Sequence, residues 1–189
     1  MREEFIKVLD EKGYPYEIEG NKIVVTHKGF VYLDALTSLP PGVEFRNRGG
    51  VDLDALISLP PGVEFRNRGT VNLESLTSLP PGVVFNNGGG VYLRSLTSLP
   101  PGVEFRNRGD VYLDSLTSLP SGVEFRNRGY VDLRSLTSLP PGVEFKNEEA
   151  VDLYALIGGW FDEWSGNIKG IDPKRLLNNM ISLGLFNRR

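Results

Sequence analysis

From residue 31 to about residue 150 the chain repeats a 20-residue unit in register. The copy at 51–70 reads VDLDALISLPPGVEFRNRGT, and the general form is V-x-L-x-x-L-x-S-L-P-P-G-V-x-F-x-N-x-G-x. A period of this length outranks every local signal. Each unit is too short to bury its own apolar face and must stack on the next copy. The V-x-L element, as at Val51 and Leu53, and the V-x-F element, as at Val63 and Phe65, both alternate with the period of a half-buried strand. Each unit therefore contributes two short strands to two stacks.

The linking residues suggest how the coil turns. Leu36-Thr37-Ser38-Leu39 places leucines three apart, which suits a tight 3₁₀-like turn pointing both inward. Pro41-Gly42 fits the central positions of a type II turn, with Gly at positive φ. Asn47-Arg48-Gly49 forms the second corner, again with a Gly available for an unusual backbone angle. Stacked coils put like residues over like, about 4.8 Å apart. Asn47, Asn67, Asn87, Asn107, Asn127 and Asn147 then form an inward ladder, each amide bonding its neighbours, as stacked Asn does in cross-β structure. His27, the one histidine, falls in the same slot one period earlier and reads as its first rung.

The L-x-x-L-P turn, the 20-residue period and the recurrent Asn resemble bacterial leucine-rich repeats over roughly residues 31–156. That resemblance implies protein binding in general, with no particular partner. The unit departs from the family pattern in two ways. Its Asn follows Phe by two residues, and it has two strand signals in place of one strand and a helix. These departures favour a straighter, two-sided β-solenoid. In style the chain also resembles small repeat-rich proteins of bacteria and phages.

The ends read as caps, which a solenoid needs to cover its last apolar layers and block strand addition. Phe5, Ile6, Val8 and Leu9 lie among charges in an amphipathic helix ended by Gly13. Residues 14–19 and 22–26 read as a hairpin around Gly20-Asn21. Ile23 and Val25 fall where Val43 and Phe45 fall one period later. After the repeats, Trp160 and Trp164 read as a lid over the open coil. Asp172-Pro173 opens a helix carrying Leu176, Leu177, Met180 and Ile181, ending at Gly184. The expected architecture is an all-β repeat protein, a parallel β-solenoid of about seven 20-residue coils with short α-helical caps at both ends. Its parts are an N-terminal cap (1–30), the solenoid (31–157) and a C-terminal cap (158–189).

Composition limits function. The formal net charge is −3 and there is no Cys, so there is no disulfide scaffold and no thiolate site. The opening residues run into a charged amphipathic segment and not into an apolar leader, and no apolar run has spanning length. A cytoplasmic location is the expectation. The residues imply no cofactor, no metal-ligand set and no catalytic group. Asp52 and Asp54 share a strand face, yet no nucleophile or base accompanies them.

The outward positions carry the candidate partner-binding residues. Glu44, Glu64, Glu104, Glu124 and Glu144 form one column beside Arg46, Arg66, Arg106, Arg126 and Lys146. Arg48, Arg68, Arg108 and Arg128 form a third. The Glu and Arg columns neutralise one another, and where Val84 replaces Glu, Asn86 and Gly88 replace both arginines. Arg106, Arg108, Arg126 and Arg128 make a charged ledge for an acidic partner or phosphates. The other face varies most between copies. On it, Tyr92, Arg94 and Tyr112 match the Tyr/Arg anchors of binding hot spots. The reading is a non-enzymatic protein-interaction module using a flat strand face, with an unidentified protein as partner. The alternatives are a self-assembling structural protein and nucleic-acid binding along the Arg columns.

Overall fold

A computed structural model describes residues 1–153 and 155. The tryptophan lid, the second helix and Tyr154 lie outside these residues. The chain opens with α1 (Arg2–Glu11), which buries Phe5 and Leu9. Gly13 ends it at φ +66°, donating its N–H to the Asp10 carbonyl, while Tyr14 N–H reaches back to Leu9. This is the left-handed cap that the sequence suggested. The hairpin β1 (Tyr16–Glu19) and β2 (Lys22–Val25) follows, antiparallel. Ile18 on β1 is exposed.

β2 begins the solenoid. Ile23 and Val25 pair in parallel with Val43 and Phe45, one period on. The stack continues through Glu64–Phe65, Val84–Phe85, Glu104–Phe105, Glu124–Phe125 and Glu144–Phe145, giving an eight-stranded sheet edged by β1. The second sheet has seven strands, from Val31–Tyr32 to Val151–Asp152, each in parallel register 20 residues apart. Six complete 20-residue coils thus span 31–150, and Val151–Asp152 opens a further one. Among the described residues this is one coil fewer than the seven expected.

Between the sheets lies a narrow core with one rung per coil. The rings of Phe45, Phe65, Phe85, Phe105, Phe125 and Phe145 stack at 5.3–5.6 Å, within 13° of parallel. The valines and leucines of the repeat complete each layer, almost all fully buried.

Three expectations about the coil are corrected. The tight turn sits earlier than predicted, because Leu36 N–H donates to the Leu33 carbonyl at 2.9 Å and the same bond recurs at Leu56, Leu76, Leu96, Leu116 and Leu136. The Leu36–Leu39 stretch forms no 3₁₀ turn, and its equivalents in later coils make parallel bridges at Ser58–Ser78 and Ser98–Ser118. The Pro-Gly corner is as predicted, with Gly42 at φ +75° and its equivalents close to it. The other corner is not. Gly49, Gly69, Gly89, Gly109 and Gly129 take no positive φ. A Cβ on Gly109 would instead lie 2.5 Å from the Gly90 nitrogen, and one on Gly49 2.5 Å from the Gly29 carbonyl carbon. The repeat keeps Gly here because backbone packs directly on backbone.

The asparagine ladder is built differently from the amide-to-amide chain expected. Asn47 Nδ2 donates to three carbonyls, those of Gly49 and Gly50 on its own corner (2.9 Å each) and of Gly29 on the coil before (3.2 Å). All five later asparagines repeat the pattern, as Asn87 does to Gly69, Gly89 and Gly90. Each amide thus ties its corner to the backbone of the neighbouring coil. His27 occupies its rung through the backbone, its carbonyl accepting Arg48 N–H at 3.1 Å. Its ring is only half-buried and packs on Tyr14 at 4.9 Å.

The contact at the glycine corner predicts a specific sensitivity. Gly109→Ala forces neighbouring coils apart and should lower unfolding free energy by about 1–3 kcal/mol, the range for overpacking a tight interior. The urea midpoint measures it. Ser98→Ala, at an exposed site on the same coil, should shift stability by no more than about 0.5 kcal/mol.

Candidate functional site

The alternation of each strand sends its Val, Leu or Phe inward and its polar residue outward, so each sheet presents one row per outward position. On the seven-stranded sheet, Tyr92 and Tyr112 lie in direct register. Their rings stack at 4.9 Å and 12°. The Arg94 guanidinium carbon lies 5.3 Å from the Tyr92 ring centre and 4.9 Å from that of Tyr112, within cation–π range of both. Arg94 is held from two sides, by Glu74 at 2.9 Å and Asp114 at 3.6 Å. The structure thus joins the three residues singled out on this face into one cluster.

The cluster continues through residues that the sequence reading passed over. Asp110 accepts the Tyr112 hydroxyl at 3.2 Å and the Tyr130 N–H at 2.9 Å. Tyr130 tilts against Tyr112 at 6.4 Å and donates its hydroxyl to Asp152 at 3.1 Å. Burial raises the pKa of both phenols, so both stay protonated and act as donors at neutral pH. The available signal was the position after each corner glycine, which reads Gly50, Thr70, Gly90, Asp110 and Tyr130 and is the least repetitive of the unit. Beyond Tyr112, Asp132 is fully buried. Arg134 grips both of its carboxylate oxygens through Nε, at 2.9 and 3.0 Å, and its backbone N–H adds a bond of 3.2 Å.

Asp52 and Asp54 do not form an acid pair. Asp52 Oδ1 accepts the Asp54 N–H at 3.2 Å and the Asn72 amide at 3.0 Å. Burial holds its carboxyl above the usual range.

The Arg106 and Arg126 side chains lie on the opposite, eight-stranded sheet. Each forms an ion pair two residues back in its own strand, with Glu104 and Glu124 respectively. Lys146 bridges Glu144 and Glu124, at 2.5 and 3.4 Å. These columns neutralise one another as read. Arg108 and Arg128 stand at the corner between sheets, and Arg128 faces Glu148 at 3.7 Å. A shallow groove of about 250 Å³ opens on this face between Glu104, Arg106, Ser121, Glu124 and Arg126. Glu44 departs from the exposed column expected. It is buried, boxed in by Lys22 at 3.5 Å, Arg46 at 2.5 Å and Arg66 at 3.4 Å, because the β1–β2 hairpin brings Lys22 and Glu19 over the first coil.

Among the described residues no group of three His, Cys, Asp or Glu side chains could hold a metal ion, and no helix is long and apolar enough to cross a membrane.

The two arginine environments differ in a measurable way. Arg134→Met leaves the buried Asp132 carboxylate without its counter-ion and should cost about 2 kcal/mol, in the range for hydrogen bonds to charged groups. Arg106→Met removes a solvent-screened pair and should cost no more than about 1 kcal/mol. Parallel urea titrations separate them.

No family model, curated protein or solved structure matches the chain.

Proposed function

We propose that the chain is a non-enzymatic module that binds a protein partner on its seven-stranded face, with Tyr92, Arg94 and Tyr112 as anchors. The observation that carries this reading is the fixed geometry of the cluster. Two half-buried tyrosine rings and an arginine are already locked by stacking, by cation–π contact and by two carboxylates. Side chains ordered before binding lose little entropy on docking. Large flat rings with a guanidinium above them supply the apolar area and directional donors typical of interface hot spots. The adjacent Asp110, Tyr130 and Asp152 extend the same surface with polar groups suited to a rim. The leucine-rich-repeat resemblance points to the same class of function. The Arg106 and Arg126 ledge supports it less, since its guanidiniums pair with Glu104 and Glu124 and, among the described residues, have no aromatic ring beneath them as Arg94 does.

The test is retention of a specific protein from nuclease-treated lysate on immobilised chain. Tyr92→Ala with Tyr112→Ala should lose the retained band, since hot-spot truncation costs about 2 kcal/mol or more, roughly thirtyfold in affinity. Arg106→Glu with Arg126→Glu should keep it. The reverse pattern would move the docking surface to the eight-stranded sheet.

A further inference from the structure

The corner leading from the eight-stranded to the seven-stranded sheet is unevenly charged along its length. Lys28, Arg48 and Arg68 occupy one position on three successive rungs. The Arg48 N–H bonded to the His27 carbonyl and the Arg68 N–H bonded to the Asn47 carbonyl, each at 3.1 Å, fix that register. All three are exposed. Among the described residues none of the three has a carboxylate within ion-pair distance. The other described coil arginines are paired, apart from Arg108. Two residues further on, the N-terminal rungs carry Phe30, Gly50 and Thr70, all uncharged. In the C-terminal half the same position brings Asp110, and Glu148 faces Arg128. Further along, Gly88 interrupts the position, Arg108 stands alone and Arg128 is paired, so among the described residues the run of unpaired cations on successive rungs is Lys28, Arg48 and Arg68.

An aromatic pair stands at the head of this positive column. Phe30 and Tyr32 stack at 4.5 Å and 27°. The Phe30 ring lies over Gly50, where a Cβ would come within 2.4 Å of it. Tyr32 is fixed through its backbone N–H, which donates to the Tyr14 hydroxyl at 3.0 Å. Tyr32 is still 53% exposed. Cations about 4.8 Å apart along a strand stack repel one another, and a polyanion laid along them removes that repulsion and releases counterions. A supported ring with an open face is what a base stacks on. An acidic peptide would satisfy the cations and leave the ring unused, so the combination favours a nucleic acid strand with unpaired bases. The net charge of −3 does not oppose this, because recognition follows the local field.

We propose that Lys28, Arg48, Arg68 and Tyr32 form a site for a short single-stranded oligonucleotide. The three cations hold successive phosphates and Tyr32 stacks one base. The site is separate from the Tyr92–Arg94–Tyr112 cluster and does not rest on it.

The experiment is fluorescence anisotropy of a labelled oligothymidylate over a salt series. Three phosphate contacts should give a slope of log affinity against log salt of about −2, at roughly 0.7 per contact. Arg48→Ala with Arg68→Ala should weaken binding and bring the slope to about −0.7. Tyr32→Ala should weaken binding about tenfold with the slope unchanged, because stacking releases no counterions. Lys7→Ala with Lys146→Ala, which removes two ion-paired cations elsewhere, should leave the slope as it was. Circular dichroism checks that each variant folds; these side chains are exposed, so each should. Absence of binding, a slope indifferent to Arg48 and Arg68, or equal competition by polyglutamate overturns the proposal, the last by assigning the column to acidic protein.

Discussion

Everything in this molecule depends on coil-to-coil backbone hydrogen bonding along the solenoid axis. The strands are mostly two residues long, far below what an isolated strand needs. They exist because each pairs in parallel with the equivalent strand 20 residues away, on both sides except at the sheet ends. The same axial register aligns the phenylalanine rings, the corner glycines and the asparagine amides. The coils stack mainly on their neighbours, with Lys22 reaching two rungs on to Glu64 at 2.5 Å, so stability is largely a sum of similar interface terms. That is why one Cβ at a corner glycine matters, since it opens an interface against which both sheets are in register.

The axial register also dictates the surface. Any charge placed once per repeat becomes a column of like charges at strand spacing. The eight-stranded face meets this by setting Glu and Arg in adjacent columns, with pairs closing inside each strand. At the first coil the β1–β2 hairpin folds over the column and turns Glu44 into a buried, cation-boxed carboxylate. At the corner position Lys28, Arg48 and Arg68 are left unpaired among the described residues. The most idiosyncratic contacts gather on the seven-stranded face, where the repeat is least strict. There Arg94 spans two coils' tyrosines and Arg134 anchors a buried Asp132.

Much of the coil was legible because periodicity reports which residues sit over which. The parallel register, the inward Val, Leu and Phe, the Pro-Gly corner, α1 with its glycine cap and the reuse of β2 as a first rung all follow from it. Tyr92, Arg94 and Tyr112 could be named for the same reason. Other features were not legible. Gly49 looked like a residue chosen for its φ, and the asparagines looked like a side-chain ladder. A repeat pattern gives the order of the rungs. It does not give the distance between them at a corner or which way a carbonyl faces.

The sequence alone determined the period, the two-sheet solenoid and the rows of its surface, because a 20-residue unit with two strand signals has one economical way to bury its apolar side. The tertiary structure decided what those rows do. It showed that the Asn amides bind backbone carbonyls, since three carbonyls converge at each corner. It showed that Glu44 is buried, since a hairpin distant in sequence covers it. It separated paired from unpaired arginines, since pairing depends on side-chain reach across coils, and one-dimensional spacing does not encode reach.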